Sequence, residues 1–500
     1  MRGLFLVRGF RLKTLVLWAL PLAMLVDVGM GLIPRSSAPR RADVAAIAAQ
    51  AKPVDLTAPY AESAYDFLPG ATAGASIVVL GESVHVTAEF PLARLRLVRF
   101  LHERLGFDVL ALEGSETQAW LAEDYLYGTP PDTPSRLDRA QQIAWFKLWN
   151  TFQMRDLLSY VDASQRTPHP LYLASFDVQT GASAEFGLTP AVLTALVDRL
   201  GSLGSVEGTT TTDLVNALAP VVQCQIGASG GLGPARAPAL TAIDAIQRWI
   251  DAIVPAVART RPAAHVAALR LIPDNLRDHV ELCEHATTWQ KTRDELNADN
   301  ALMLRDQVSA AHKIILWAHH SHVSYNTMGR QVPSMGEHLR GRLGRDIYTI
   351  GLFAGSGRFL DVAPLSVHAL PATNTVGVER LLAAAGSQPY FIDVSRLPLD
   401  DPAAGWLTPQ PSRMEGRSTS ATVLARDFDA AVYVPRVTPG TGMLPNGAFW
   451  VLQLFGLAVD QPVTTATGMA LIFVWLARAI VTRVRASRTG QGRPKGLPYD

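Results

Sequence analysis

The chain has 500 residues, with 45 Lys+Arg against 44 Asp+Glu for a net charge of +1, and 48% hydrophobic against 18% charged residues. This balance excludes a simple electrostatic binder of nucleic acid or polyanions, and it is too apolar for long disorder. The two cysteines, Cys224 and Cys283, stand in no zinc-ligand spacing and allow at most one disulfide.

Residues 14–33 (TLVLWALPLAMLVDVGMGLI) are apolar except for Asp27 and follow Arg2, Arg8, Arg11 and Lys13, so residues 1–35 read as a signal-anchor or transmembrane segment. Residues 36–59 read as a linker with a short helix. Residues 76–80 (SIVVL) form a β-branched run stopping at Gly81, residues 89–105 repeat apolar positions at helical spacing, and residues 108–112 are apolar again. This is a βαβ unit, whose parallel strands open on one edge of a sheet. Further strands are expected at 171–176, 313–318, 347–353, 390–394 and 430–434, with a helix at 334–343. Residues 188–310 read as a helical insertion with a Gly/Pro-rich break at 227–238. Beyond the α/β body at 60–442, the stretch 443–500 holds two apolar runs, 443–459 and 463–477. The second, extended to about residue 482 and followed by Arg483, Arg485 and Arg488, reads as a membrane span, with Arg478 reaching back to the interface. The fold class is therefore α/β: a mainly parallel central sheet flanked by helices, with a helical insertion and terminal membrane-associated helices.

Chemistry gathers where strands end. Glu82 and His85 follow the first strand, Glu113 the second, Asp177 and Gln179 the third, and His319, His320 and His322 the fourth. Open α/β sheets bind ligands at the carboxyl ends of their strands, so the convergence of these groups is the functional signal. Singly, each has a structural explanation: Glu82 or Glu113 as a helix cap, Asp177 as an Asx turn, a histidine as a satisfied strand-end residue. His320 alternates away from His319, and His102, His312 and His338 read as solvated helix or strand-edge residues. GASGG formally fits G-x-S-x-G around Ser229, but Gly233, Pro234 and Pro238 follow it, which marks a loop between helices and not a nucleophile elbow. Gly355-Ser356-Gly357 also reads as a loop.

GESVHVTAEFPLARLRLV, LEGS, WAHHSH and SMGEHLRGRLGRDIYTIGLFAGSG, together with Phe176-Asp177-Val178-Gln179, Arg293-Asp294 and FDAAVYVPR, resemble the erythromycin esterase family over about residues 60–440. The chain departs from that pattern at Val84 and Val86, where Thr and Gly are usual, at Asn297, where Met is common, and at His320 in place of Asn. The resemblance implies hydrolysis of a small-molecule carboxylic ester or lactone by activated water, without a covalent serine and without a metal or other cofactor. A neutral histidine has the basicity to take the proton of an attacking water, and His85 is the base expected here. Glu82 or Glu113 would orient it and Arg94 would stabilise the oxyanion. Arg293, His319, His322 and Asp177 are the expected substrate-binding groups. A metal-dependent hydrolase using Glu82, His85, Glu113 and His319 or His322 as ligands, and a non-enzymatic haem- or metal-binding membrane protein, are the alternatives. With basic residues flanking both terminal spans, the positive-inside rule places the catalytic body outside the cytoplasmic membrane, with the membrane as its partner and no nucleic acid.

Overall fold

The computed structural model describes residues 38–440, apart from 145–148, 180–189, 205–209, 225–230, 285–288, 327–331, 363–364, 371–376 and 415–417. The chain divides into two units. One comprises Ser36–Pro364 and Leu370–Leu444 and carries all that follows. The other comprises Met1–Arg35, Leu365–Ala369 and Pro445–Asp500, of which Leu365–Ala369 is described, as a strand. The expected membrane segments at 14–33, 443–459 and 463–482 lie outside the described residues, as does Ser229. Among the described residues, no helix is long and apolar enough to cross a membrane.

A central sheet is built from β1 (Ile77–Glu82), β2 (Val109–Leu112), β3 (Tyr172–Ser175), β4 (Ile314–His319), β5 (Ile347–Val362), β6 (Tyr390–Asp393) and β7 (Ala430–Val437). Across the sheet the order is β6-β7-β5-β1-β4-β2-β3, with the short pair Lys52–Pro53 beyond β6. All neighbours from β7 to β3 are parallel, and β6 alone runs against β7 and Lys52–Pro53. The sheet is thus mixed, with an antiparallel strand near one edge. β1 (IVVLGE) and β4 (IILWAH) are buried along their whole length, as parallel strands covered on both faces must be.

Three strands run past their expected ends in ways that change how their residues are read. β1 and β4 each run on through their chemical residue, so Glu82 and His319 are paired as the last residues of their strands. β5 continues to Val362 through Gly355-Ser356-Gly357, which is strand and not loop. Neither glycine can be replaced cheaply: a Cβ on Gly357, whose φ is +123°, would stand 1.9 Å from the Val437 carbonyl oxygen, and one on Gly355 would stand 2.2 Å from the Tyr433 hydroxyl. What reads as loop punctuation is the close approach of two paired backbones.

The helix following β1, α1 (Glu89–Leu105), ends where Gly106 adopts the left-handed conformation and caps it. α2 (Glu116–Gly128) follows β2. The insertion is helical as expected: α3 (Pro190–Leu203), α4 (Thr211–Val222), α5 (Arg236–Val257), α6 (Ala263–Glu284) and α7 (Trp289–Met303). α5 begins two residues before Pro238, because proline is tolerated in a first turn whose N–H groups have no intrahelical acceptor. Cys224 and Cys283 are bridged, joining the end of α4 to α6 across 59 residues. Closing a loop of that length stabilises the folded chain by about 4 kcal/mol on the chain-entropy account. His102 corrects its reading: it is buried, with Nδ1 2.7 Å from the Tyr160 hydroxyl and Nε2 2.9 Å from the His169 carbonyl oxygen.

Candidate active site

The strand order β1-β4-β2-β3 brings Glu82, His319, Glu113 and Asp177 into one row along the carboxyl edge of the sheet. At one end of the row, Glu82 Oε1 lies 2.5 Å from Nδ1 of His85, three residues on in the strand-to-helix turn. Its other oxygen accepts from Nη1 of Arg94 at 2.8 Å. Burial alone would raise the Glu82 carboxyl, but the Arg94 guanidinium and His85 outweigh it and hold the group below the ordinary carboxylate range. The Glu82 carboxylate therefore stays ionised and fixes which imidazole nitrogen of His85 carries the proton. The His85 ring is 25% exposed against 3% for the Glu82 side chain, so the imidazole is the member that reaches solvent.

The turn bearing His85 is clamped from outside. Ser83 N–H donates to Leu352 on β5, Ala88 N–H donates to Thr438, and Leu360 and Gly440 N–H both donate to the Val86 carbonyl. Val86 pays for this with φ +50°, a left-handed conformation that disfavours a β-branched residue. The family pattern has Gly at that position, so the departure noted in the sequence falls on the one residue of the turn with a backbone requirement for glycine.

Arg94 is a correction to the expected site. Its side chain is fully buried, Nη2 donates to the Ala318 carbonyl at 3.1 Å, and its guanidinium lies 4.3 Å from the centre of the Trp317 ring. Both amines serve Glu82 and β4, so Arg94 backs the carboxylate and does not reach an oxyanion. Its place one and a half turns into α1 was legible; its direction was not.

The rest of the row is a second network. Glu113 Oε2 accepts the His319 backbone N–H at 2.9 Å, while Oε1 lies 3.3 Å from Arg293 Nη2 and 3.5 Å from His322 Nε2. Asp177 receives Arg293 through Nε at 3.0 Å and Nη2 at 2.5 Å, receives Asn297 Nδ2 at 3.2 Å, and closes an Asx turn with the Gln179 N–H at 3.0 Å. Burial raises the Asp177 carboxyl, and Arg293 more than reverses this. The structural and functional readings of Asp177 therefore coexist. His322 Nδ1 meets Asp294 Oδ1 at 2.5 Å, making a second histidine–carboxylate pair.

His319 joins the two networks. Its ring centre is 4.8 Å from that of His85, and its Nδ1 accepts from the Ser321 N–H at 3.2 Å, which leaves the ring proton on Nε2. Nε2 faces the Ser83 backbone outside hydrogen-bonding geometry. Burial, followed by the neighbouring His85, His320 and His322, holds His319 neutral, well below the ordinary histidine range. His320 turns the other way, as its alternation implies, but into the interior: its ring lies 4.7 Å from Phe353 and 4.8 Å from Phe428, above Gly81, where a Cβ would come within 2.8 Å of it.

Asp294 and Asn297 are noted in the sequence only as part of the family pattern and as a departure from it, and the structure makes both neighbours of the site. Arg293, Asn297 and Asn300 recur at i, i+4 and i+7 on α7, a polar stripe in a largely apolar insertion, and this was the available signal. Among the described residues no three His, Cys, Asp or Glu side chains converge as ligands of one metal ion; the Glu82 and Glu113 oxygens are directed at Arg94, His85, Arg293 and a backbone amide. Two clefts of about 1070 and 270 Å³ open at the opposite, amino edge of the sheet and contain none of these residues.

The profile of the family described as erythromycin esterase matches residues 102–437, and the chain belongs to that family. The match begins beyond Glu82, His85 and Arg94, so those three rest on the geometry above and on the motif in this sequence. A putative hydrolase of Bacillus subtilis, YbfO, is 24% identical over 404 residues, covering 75% of this chain and 86% of the relative. The type I erythromycin esterase of Escherichia coli is 40% identical over 65 residues, 13% of this chain and 16% of that protein. Among solved structures, a Bacillus cereus protein superposes with TM-score 0.63 at 17% identity, covering 81% of this chain and 99% of that one. The erythromycin esterase EreC in its open conformation superposes with TM-score 0.56 at 19% identity, covering 79% and 99%. At such identities these two structures establish the fold.

Proposed function

We propose that this protein hydrolyses a small carboxylic ester or lactone by direct attack of a water activated by His85. The observation that carries the reading is the Glu82–His85 contact of 2.5 Å, with a buried Arg94 behind the carboxylate and the imidazole at the solvent-facing end. With its Nδ1 proton held by Glu82, the ring offers Nε2 as the base; as it takes a proton from water, the new cation is stabilised by the carboxylate beside it. Across Glu113, Arg293 supplies a positive group and His322 an imidazole suited to polarising the carbonyl. No serine nucleophile enters this scheme, and it asks nothing of a metal, so exhaustive chelation should leave turnover intact. The test is a panel of esters and lactones offered to the purified protein in ¹⁸O-water. Incorporation of one label into the acid product in a single turnover, with no acyl-enzyme mass on rapid quenching, supports the reading; a trapped acyl-enzyme, a protein turning over none of the panel, or one inactivated by chelation and restored by a divalent metal, contradicts it.

The same reading places the hydrolase outside the cytoplasmic membrane, anchored by residues 14–33. The Cys224–Cys283 bridge supports this, because disulfides persist in oxidising compartments. Protease added to intact spheroplasts should cut a tag inserted in the 227–238 loop, and protection until lysis would overturn the placement.

A further inference from the structure

Behind Asp177 lies a second buried polar group that the proposed chemistry does not use. Glu116, in the first turn of α2, accepts the Ser175 backbone N–H through Oε2 at 2.7 Å. Its Oε1, together with Ser175 Oγ, Asn275 Oδ1 and Asn300 Oδ1, is buried without a hydrogen-bond partner. All four residues are at most 5% exposed, and with Leu271 and Leu304 they line one cavity. About 10 Å³ of it is open to the centre of a water-sized sphere, the room of one water molecule. The orientation of Asn300 is fixed, because its Nδ2 donates to the Phe176 carbonyl at 3.0 Å.

Counting donors decides what fits. A water donates twice and accepts twice. With Asn275 presenting its Oδ1 to the cavity as it does here, an ionised Glu116 makes three acceptors for two water protons, and it is a buried negative charge whose electrostatic neighbours are Glu123 on the same helix and Tyr172 on β3, neither of them a cation. With Glu116 neutral, its hydroxyl and that of Ser175 donate to the water, and the water donates to Asn275 and Asn300. Every orphaned atom is then satisfied.

We propose that Glu116 carries its proton at neutral pH and, with Ser175, Asn275 and Asn300, binds one water that fixes the Ser175–Val178 turn. Burial, opposed only in part by the Ser175 N–H, favours the neutral acid. The turn it supports is held throughout: Phe176 N–H donates to Leu112, Asp177 N–H to Gly114, and Val178 N–H to the Asn297 side chain at 2.9 Å. Glu116 is thus a positioning residue for Asp177, and through it for Arg293.

Infrared difference spectroscopy of wild type minus Glu116→Gln reads the proton directly. The expected result is a neutral carboxyl C=O band at pH 7 that the variant loses, with a thermal midpoint close to wild type for Glu116→Gln and markedly lower for Glu116→Leu. A carboxylate band in its place overturns the proposal. Should the variants fail to fold, a high-resolution crystal structure of the wild type serves: one water bonded to all four side chains is expected. A cavity without density, or an ion with short contacts whose removal in choline chloride lowers the thermal midpoint relative to sodium chloride, overturns it.

Discussion

The site contains two histidine–carboxylate pairs built in opposite ways. Glu82 and His85 sit three residues apart in a single turn, with a fully buried arginine behind the acid and the ring 25% exposed. Asp294 and His322 come from α7 and from the short helix after β4, 28 residues apart, and the His322 ring is 12% exposed with its second nitrogen already facing Glu113. The contrast separates roles. A base must hold its ring on a carboxylate and stand where water reaches it, which the exposure of His85 suits; His322 is more enclosed, with both nitrogens facing protein carboxylates, and is suited to holding and polarising.

The strongest way to break this contrast is to neutralise Glu82. Glu82→Gln leaves the buried Arg94 charge without its counterion, and a cost of about 3–5 kcal/mol is expected in denaturant unfolding; a change below about 1 kcal/mol would mean that Arg94 is compensated elsewhere. Acid should act next. His319, His320 and His279 are held neutral by burial, His279 down to about 4. Below the unfolded value near 6.5 these rings bind more protons in the unfolded chain than in the folded one, so their contribution to stability falls as pH falls, and Glu82 and Asp177 add the same sign further down. Buried carboxyls held neutral, Glu123 up to about 8 and Asp278 up to about 7, act with the opposite sign over the same range, so a single ring is the test: between pH 7 and 5, His279→Gln should lose about 2 kcal/mol less stability than wild type, and an unchanged profile would contradict the burial of His279. Asp294→Ala removes the acceptor that orients His322 and should lower turnover roughly tenfold, about 1.4 kcal/mol. If it instead costs more turnover than Glu82→Gln does per folded molecule, the two pairs have exchanged roles. The smallest effect is expected for Val86→Gly. Relief of the left-handed backbone, about 1–2 kcal/mol, is offset by lost apolar burial and added chain entropy, so stability should move by less than about 1 kcal/mol.

How much of this was legible follows from the same contrast. Short-range features read well: the β1 turn with Glu82 and His85, α1 ending at Gly106, and the WAHHSH strand end all rest on neighbouring residues. The parallel direction of β1 and β2 also followed, since a βαβ unit fixes it, but not that β4 lies between them. What could not be read was set by tertiary direction. Arg94 was placed on the right helix, but only the packing of α1 against Trp317 turns it behind Glu82. Asp294 and Asn297 enter the site because α7 of the insertion returns to the sheet edge, a long-range event with only a polar stripe as its sequence trace. His102 was misjudged because its partners, Tyr160 and the His169 carbonyl, lie 58 and 67 residues away. Gly355 and Gly357 were misjudged because glycine marks close backbone approach as readily as a turn.

The central claim is that His85 is the base, and the most direct measurement compares kcat/KM of wild type, His85→Ala and His320→Ala on an ester or lactone found to be hydrolysed, with circular dichroism confirming that each is folded. His85→Ala should fall by about 10² to 10⁴, while His320→Ala, which empties an interior site between Phe353 and Phe428, should lose stability but keep most turnover per folded molecule. Near-wild-type hydrolysis by folded His85→Ala, or a greater loss in His320→Ala, would contradict the assignment.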